Sequence, residues 1–328
     1  SYKDAVVLST CMEHHSNDLP WRSNYTVDYI NIDNQGRLSI EDLEEKLIQY
    51  NRRVKLVAVT GASNVTGYTN PIHQIADLAH RYGAEILVDG AQLVPHAPIN
   101  MKSPDQPQHI DYLSFSGHKM YAPFGTGVLI GPKKTFEKGS PDYTGGGTVK
   151  LVTHQHIHWL DPPLKEEAGT PNVMGVIALT AAIKILKEIN MKRIENYERS
   201  LTEYTLNRLK HVPHLKLFGN PHDAKDRVSI IPFIIEGMSH DLVANILSEE
   251  AGIAVRDGCF CAHPYIQRLL KVSPEEMQKR MENPNLPHPG VVRLSYGYYN
   301  THEEVDTLIN ILYKISSNRR YFTEKYGE

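Results

Sequence analysis

The sequence predicts an α/β fold: a large domain on a mainly parallel sheet, residues 1–190, followed by a smaller C-terminal α/β domain, residues 191–328. Three observations predict it. Strand and helix patterns alternate through the first part of the chain, and strand, helix and strand recur there within about 35 residues, the length of a βαβ unit. A long helical stretch from about 176 to 210 then leads out of that alternation. A second, shorter set of strand and helix patterns follows it. With 328 residues the chain can bury a sizeable core without covalent staples.

The apolar run Ala5, Val6, Val7, Leu8 reads as a strand that opens the chain at once, after Ser1-Tyr2-Lys3 and without an initiator Met. The expectation is a fragment or a processed piece. Residues 54–60 are short, apolar and β-branched, as a buried strand is. Asn70-Pro71 is expected to give an N-cap and a first helical residue. Ile72, Ile75, Ala76 and Ala79 then fall on one helix face, and Gly83 supplies the stop. Ile86-Leu87-Val88 is the next strand and ends at Asp89. Ligands of parallel sheets collect at the carboxyl ends of strands, so Asp89 is well placed to touch one.

Two further strands, 112–115 and 127–130, flank the Gly- and Pro-rich segment 116–127 that holds Lys119. In the second domain, 228–235 reads as a strand, 241–250 as a helix and 253–255 as a strand. A final helix shows Val305, Leu308, Ile309 and Leu312 on one face. The stretch 273–289, charged and then proline-rich, reads as a surface helix and loop.

Composition narrows the function. With 35 basic and 38 acidic residues, the net charge of -3 carries no footprint for nucleic acid. No apolar run approaches the roughly 20 residues that span a bilayer. Three cysteines make no disulfide framework and favour a reducing, cytoplasmic setting.

Lys119 is the sharpest chemical signal, because of its company: Asp89 at a strand end, Gln92 three residues on, then Ser116 and His118. Pyridoxal-5'-phosphate (PLP) chemistry needs such a set. An amine condenses with the aldehyde, a carboxylate keeps the pyridine nitrogen protonated, a donor holds the phenolic oxygen, and hydroxyl or imidazole groups take the phosphate. Taken singly, Asp89-Gly90 is also an ordinary turn dipeptide. His154, His156 and His158 alternate and on a strand would project from one face, but no carboxylate or cysteine pattern completes a site there, so no metal is expected. Cys259, Cys261 and His263 alternate as well, and a metal is again the weaker reading.

Five motifs carry a family resemblance: residues 13–17 (Glu-His-His-Ser-Asn), 88–92 (Val-Asp-Gly-Ala-Gln), 114–119 (Ser-Phe-Ser-Gly-His-Lys), 167–171 (Glu-Ala-Gly-Thr-Pro) and 255–262 (Val-Arg-Asp-Gly-Cys-Phe-Cys-Ala). In family order from residue 5 to about 315, the chain resembles the class V aminotransferase superfamily, closest to its cysteine desulfurase and selenocysteine lyase group. The resemblance implies a PLP-dependent transferase fold of the aspartate-aminotransferase type, and a homodimer with active sites at the subunit interface.

By motif, it implies that Lys119 holds PLP as a Schiff base, that Asp89 pairs with the pyridinium, and that Gln92 meets the phenolic oxygen. Ser116 and His118 would bind phosphate, His14 would stack on the ring and shuttle protons, and Asn64 would touch cofactor or substrate. Thr170 would reach the phosphate of the partner subunit's cofactor. Arg293 would clamp the substrate carboxylate, with Arg256 a second candidate. Cys261 sits where desulfurases carry their nucleophile and would need Arg256 or His263 nearby to favour the thiolate, since a free thiol titrates near about 8.5. Cys259-Phe260-Cys261 departs from the commoner His-His-Cys and is similar to the molybdenum-cofactor sulfurase branch.

The implied activity is cleavage of a C–S or C–Se bond in L-cysteine or a close analogue, with a persulfide on Cys261 and a sulfur-acceptor protein as possible partner. A class V aminotransferase using Lys119 without Cys261, and a cofactor-poor non-catalytic fragment, are the alternatives. The family's main phosphate loop lies upstream of residues 13–17, and only a dozen residues precede them here. The expectation is that roughly the first hundred family positions are missing. The segment between Cys261 and Arg293 also looks longer than in typical desulfurases.

Overall fold

A computed structural model describes residues 4–327; the expected chain start, Ser1-Tyr2-Lys3, lies outside the described residues. Six strands form the main sheet: β1 (Val6–Thr10), β2 (Thr26–Ile30), β3 (Val54–Thr60), β4 (Glu85–Asp89), β5 (Tyr112–Ser116) and β6 (Gly127–Ile130), in the order β2-β1-β3-β4-β5-β6. The first five are parallel, and β6 returns antiparallel to β5 through the 117–126 turn. β1 and β3 are apolar on both faces because the sheet is covered on both, and Val6, Leu8, Val57 and Val59 are fully buried.

A hairpin of β7 (Val149–Val152) and β8 (Ile157–Trp159) follows. The smaller sheet is wholly antiparallel, ordered β11-β12-β10-β9 from β9 (Leu215–Leu217), β10 (Ile230–Ile235), β11 (Arg256–Gly258) and β12 (Val291–Ser295). Helices His240–Ala251 and His302–Ser317 pack on it around Phe233, Val243, Leu247 and Leu312. A third apolar cluster, with Met12, Val65, Tyr68, Phe260 and Tyr265, lies where segments from both sheets meet.

Several predicted boundaries move, each for a local reason. The helix after Asn70-Pro71 is Ile72–Arg81, and Asn70 does not cap it: its Nδ2 donates to the Thr60 carbonyl at 2.8 Å, tying the turn to the end of β3. The long helix is two, Val173–Ile189 and Met191–Leu209. They are broken at Asn190, whose left-handed backbone (φ 80°) ends one while its side chain accepts from Lys192 N to start the next.

The expected strand at 253–255 is absent, since Gly252 and Ile253 donate to Ser248 and Leu247 carbonyls to close the preceding helix. Pairing begins only at Arg256. Likewise β10 starts at Ile230, because Val228 N is spent on the Gly67 carbonyl. The three alternating histidines do not share a strand face: His154 and His156 lie in the β7–β8 turn, only His158 is on β8, and all three are exposed. The surface helix in 273–289 is Pro274–Glu282, as expected.

Candidate active site

β3, β4 and β5 deliver Thr60, Asp89 and Ser116 to one edge of the parallel sheet, and a cavity of about 360 Å³ opens there. Seven of the predicted residues line it: His14, Asn64, Asp89 and Gln92, and with them Ser116, His118 and Lys119. Lys119 sits on a single 3-10 turn, Gly117–Met120, entered directly from β5. That turn needs glycine at its start: Gly117 N donates to the Thr126 carbonyl at 2.6 Å, and a Cβ would stand 2.8 Å from the same oxygen. Burial pushes the Lys119 amine below its ordinary range, and Asp89 opposes the shift while Arg293 adds to it. The Asp89 carboxylate is held by Ala91 N at 2.9 Å.

His14 and its neighbours come from the loop after β1. His14 Nδ1 accepts from Ser16 N at 3.2 Å and lies 2.8 Å from Ser16 Oγ. Burial, with the Lys119 charge adding, pushes this imidazole below 6.5. Behind it, Glu13 is fully sequestered and receives three donors: Thr10 Oγ1 at 2.6 Å, Asn17 Nδ2 at 2.7 Å and Thr60 N at 2.8 Å. Burial outweighs them and pushes its carboxyl up to about 8. Glu13 therefore fastens the His14 loop to the end of β3. Its place in the Glu-His-His-Ser-Asn motif implies no role for it; its only sequence signal is acceptor-and-donor spacing with Thr10 and Asn17.

Four other predicted residues lie outside the cavity walls: Cys261, Thr170, Arg256 and Arg293. Arg293 is nearest in effect, because its Nη1 donates to the carbonyl of Asn64 at 2.8 Å and its charge is felt at Lys119. Its Nε is buried without a hydrogen-bond partner among the described residues. Burial and then Arg256, its register partner across β11 and β12, push it down to about 10, so it stays cationic at neutral pH. Arg256 is exposed, as is Thr170 in the loop before Val173–Ile189.

The cysteine loop is fixed through its backbone. Phe260 and Cys261 both take left-handed conformations (φ 53° and 54°), which cost non-glycine residues on the order of 1 kcal/mol or more each. The loop is held by Asn64 Nδ2 on the Phe260 carbonyl (2.7 Å) and His15 N on the Cys261 carbonyl (2.8 Å), with Phe260 buried beneath the Arg293 guanidinium. Cys261 is exposed. His263 does not reach it as the sequence suggested: its Nε2 lies 3.1 Å from Cys259 Sγ, and its Nδ1 lies 3.0 Å from His15 Nε2. The turn before the helix His263–Leu270, closed by Ala262 N on the Cys259 carbonyl at 2.9 Å, brings the imidazole to the other thiol.

The sequence profile of the aminotransferase class-V family matches residues 2–308. The chain belongs to that family. It is 36% identical over 324 residues to a probable cysteine desulfurase of Halalkalibacterium halodurans, covering 97% of this chain and 72% of that protein. A cysteine desulfurase of Escherichia coli O127:H6 is 35% identical over 319 residues, covering 95% and 71%. Among solved structures, the apo cysteine desulfurase of Thermococcus onnurineus superposes with a TM-score of 0.84 at 31% identity, over 97% of this chain and 74% of that one. That superposition spans nearly the whole chain, so both sheets belong to the shared fold.

Proposed function

We propose that this class-V chain carries the catalytic centre of a PLP-dependent cysteine desulfurase, cleaving the C–S bond of L-cysteine. The observation that carries it is the cavity that gathers a lysine amine, a strand-end carboxylate, an imidazole and phosphate-type donors. That donor set fits PLP. Lys119 Nζ, whose charge burial already disfavours, would hold the aldehyde carbon, and Asp89 the ring nitrogen. Gln92 would take the phenolic oxygen, Ser116 and His118 would take phosphate, and His14 would cover the ring face. When bound, PLP supplies an aldehyde for amines and a ring that withdraws electrons from the substrate Cα.

Arg293 binds the substrate carboxylate in this reading. A buried guanidinium with an unpartnered Nε, and with the cations Arg256 and Lys119 near it, is an anion site suited to a carboxylate. Lys119, freed by the substrate amine, takes the Cα proton, and its lowered basicity favours the neutral amine that this needs. Cys261 thiolate then attacks the substrate sulfur: an S–S bond forms on Cys261, the substrate C–S bond breaks, and protonation of the carbon releases alanine. The exposed thiol on a backbone-pinned loop suits hand-over of sulfur to an acceptor protein.

The homodimer implied by the family is part of the proposal. Thr170 is exposed beside the helix Val173–Ile189, which shows Val173, Val176 and Ile177 to solvent; a second copy would cover such a face. Three free cysteines fit a reducing, cytoplasmic setting, and no helix among the described residues is long and apolar enough to cross a membrane.

Incubating the protein with PLP and L-cysteine and assaying alanine tests the reading. We expect Lys119→Ala to abolish both the lysine-bound cofactor absorbance and alanine release, and Cys261→Ala to lower alanine release at least a hundredfold. The position of Cys261 outside the cavity is the one observation that favours a cysteine-independent aminotransferase. Undiminished turnover in Cys261→Ala, with pyridoxamine phosphate accumulating, would establish that instead.

A further inference from the structure

At the opposite end of the strands from the cavity, three side chains converge: His80 from the last turn of the helix Ile72–Arg81, His109 from the connection between β4 and β5, and Asp111 just before β5. Asp111 and Ser116 bracket β5, so this cluster lies roughly 15 Å from the cofactor edge of the sheet. The imidazole rings stack with centroids 4.3 Å apart and planes 25° apart. His80 Nε2 is 2.8 Å from one Asp111 oxygen and His109 Nε2 is 3.1 Å from the other.

The decisive feature is what faces the other nitrogens. His80 Nδ1 lies 2.6 Å from the Pro107 carbonyl and His109 Nδ1 lies 2.7 Å from the Gln106 carbonyl. Carbonyl and carboxylate oxygens only accept, so both nitrogens of both rings face acceptors. A neutral imidazole has one proton, so one nitrogen of each ring faces an acceptor oxygen with its lone pair, which is repulsive unless a cation lies beside it. Supplying that cation as a second proton on each ring would stack two like charges at 4.3 Å against one carboxylate.

We propose that His80, His109 and Asp111 form a binding site for a zinc-type divalent cation. The two Nε2 atoms and one Asp111 oxygen, all within 4.8 Å of one another, form a two-imidazole, one-carboxylate set. The Pro107 and Gln106 carbonyls hold the Nδ1 protons, the outer arrangement that metal-bound histidines adopt. Asp111 Oδ2 is itself fixed by Ile86 N at 2.9 Å. The side chains are 17%, 19% and 9% exposed, which leaves a fourth position for water. The cation would clamp the end of the helix and the 106–109 loop to the entry of β4 and β5, away from the catalytic chemistry. It does not depend on the desulfurase reading.

The test uses the full chain and Zn²⁺, with Co²⁺ as a spectroscopic probe. We expect one Zn²⁺ per chain at this site, a visible Co²⁺ band, and ¹⁵N shifts of His80 and His109 that mark metal on Nε2. His109→Gln should weaken Zn²⁺ binding at least tenfold, while His156→Gln, on the exposed hairpin turn, should not. The ¹⁵N readout is made on the unaltered chain and so does not rely on a variant folding. Zn²⁺ addition that leaves both imidazoles doubly protonated, or equal Zn²⁺ uptake by a folded His109→Gln variant, overturns the proposal.

Discussion

Glu13 shows how a single side chain can hold a site without touching its chemistry. It anchors the loop bearing His14 to the end of β3 through Thr60 N, and burial lifts its carboxyl from an ordinary 4.5 to about 8. Between those two values the folded chain holds a proton that the unfolded chain has released, so stability falls as pH rises from about 4.5 through 8. Denaturant midpoints taken at pH 5 and pH 8 should show this fall, and Glu13→Gln should flatten it. An unchanged pH slope in that variant would mean that other groups set it. Lys119, Asp89 and Gln92 stand out in sequence by their company, and His14 only through the motif that carries the family resemblance. Glu13 stayed hidden, since its role depends on a backbone N–H 47 residues away.

At the level of elements, the turn carrying Asn64 depends on Gly67. Its backbone is left-handed (φ 75°), and an added Cβ would stand 2.7 Å from the Val228 carbonyl and 2.9 Å from that of Ile230. Both opposing atoms are backbone and cannot swing away. Gly67→Ala should therefore cost about 3 kcal/mol or more of stability by denaturant unfolding, against a few tenths for an exposed glycine with an unobstructed site. Cofactor binding should weaken with it, because Asn64 is three residues away and lines the cavity. The helix Ile72–Arg81 and the strands β1, β3, β4 and β5 were readable here from apolar patterning, whereas β2 was not. Their ends were less so: Asn70, expected as a cap, is spent on β3, while Asn190 splits the expected long helix and Gly252 closes a helix where a strand was expected to start soon after.

Across the whole molecule, a few polar contacts join the two sheets and set where the cysteine loop meets the cavity. Tyr265 is fully buried at that seam, its hydroxyl donating to the Gly36 carbonyl at 2.5 Å and lying 3.1 Å from Thr66 Oγ1. Tyr265→Phe leaves a buried carbonyl without its donor and should cost about 1–3 kcal/mol, read as a lower denaturation midpoint. Because Asn64, Phe260 and Arg293 are linked across the same seam, a raised KM for cysteine should accompany the loss. A midpoint within error of the parent chain would show that the seam rests on apolar packing alone.

By itself, the order of residues determined the α/β alternation and the strand-end position of Asp89, and it singled out Lys119 by the polar residues that accompany it. Each follows from local periodicity or from which residue types stand near one another in the chain. Only the folded chain decided that Arg293 rests on Asn64, that His263 serves Cys259 and not Cys261, and that His80, His109 and Asp111 meet. Those pairings join atoms brought together by sheet topology and loop closure, which the apolar periodicity of the chain does not encode.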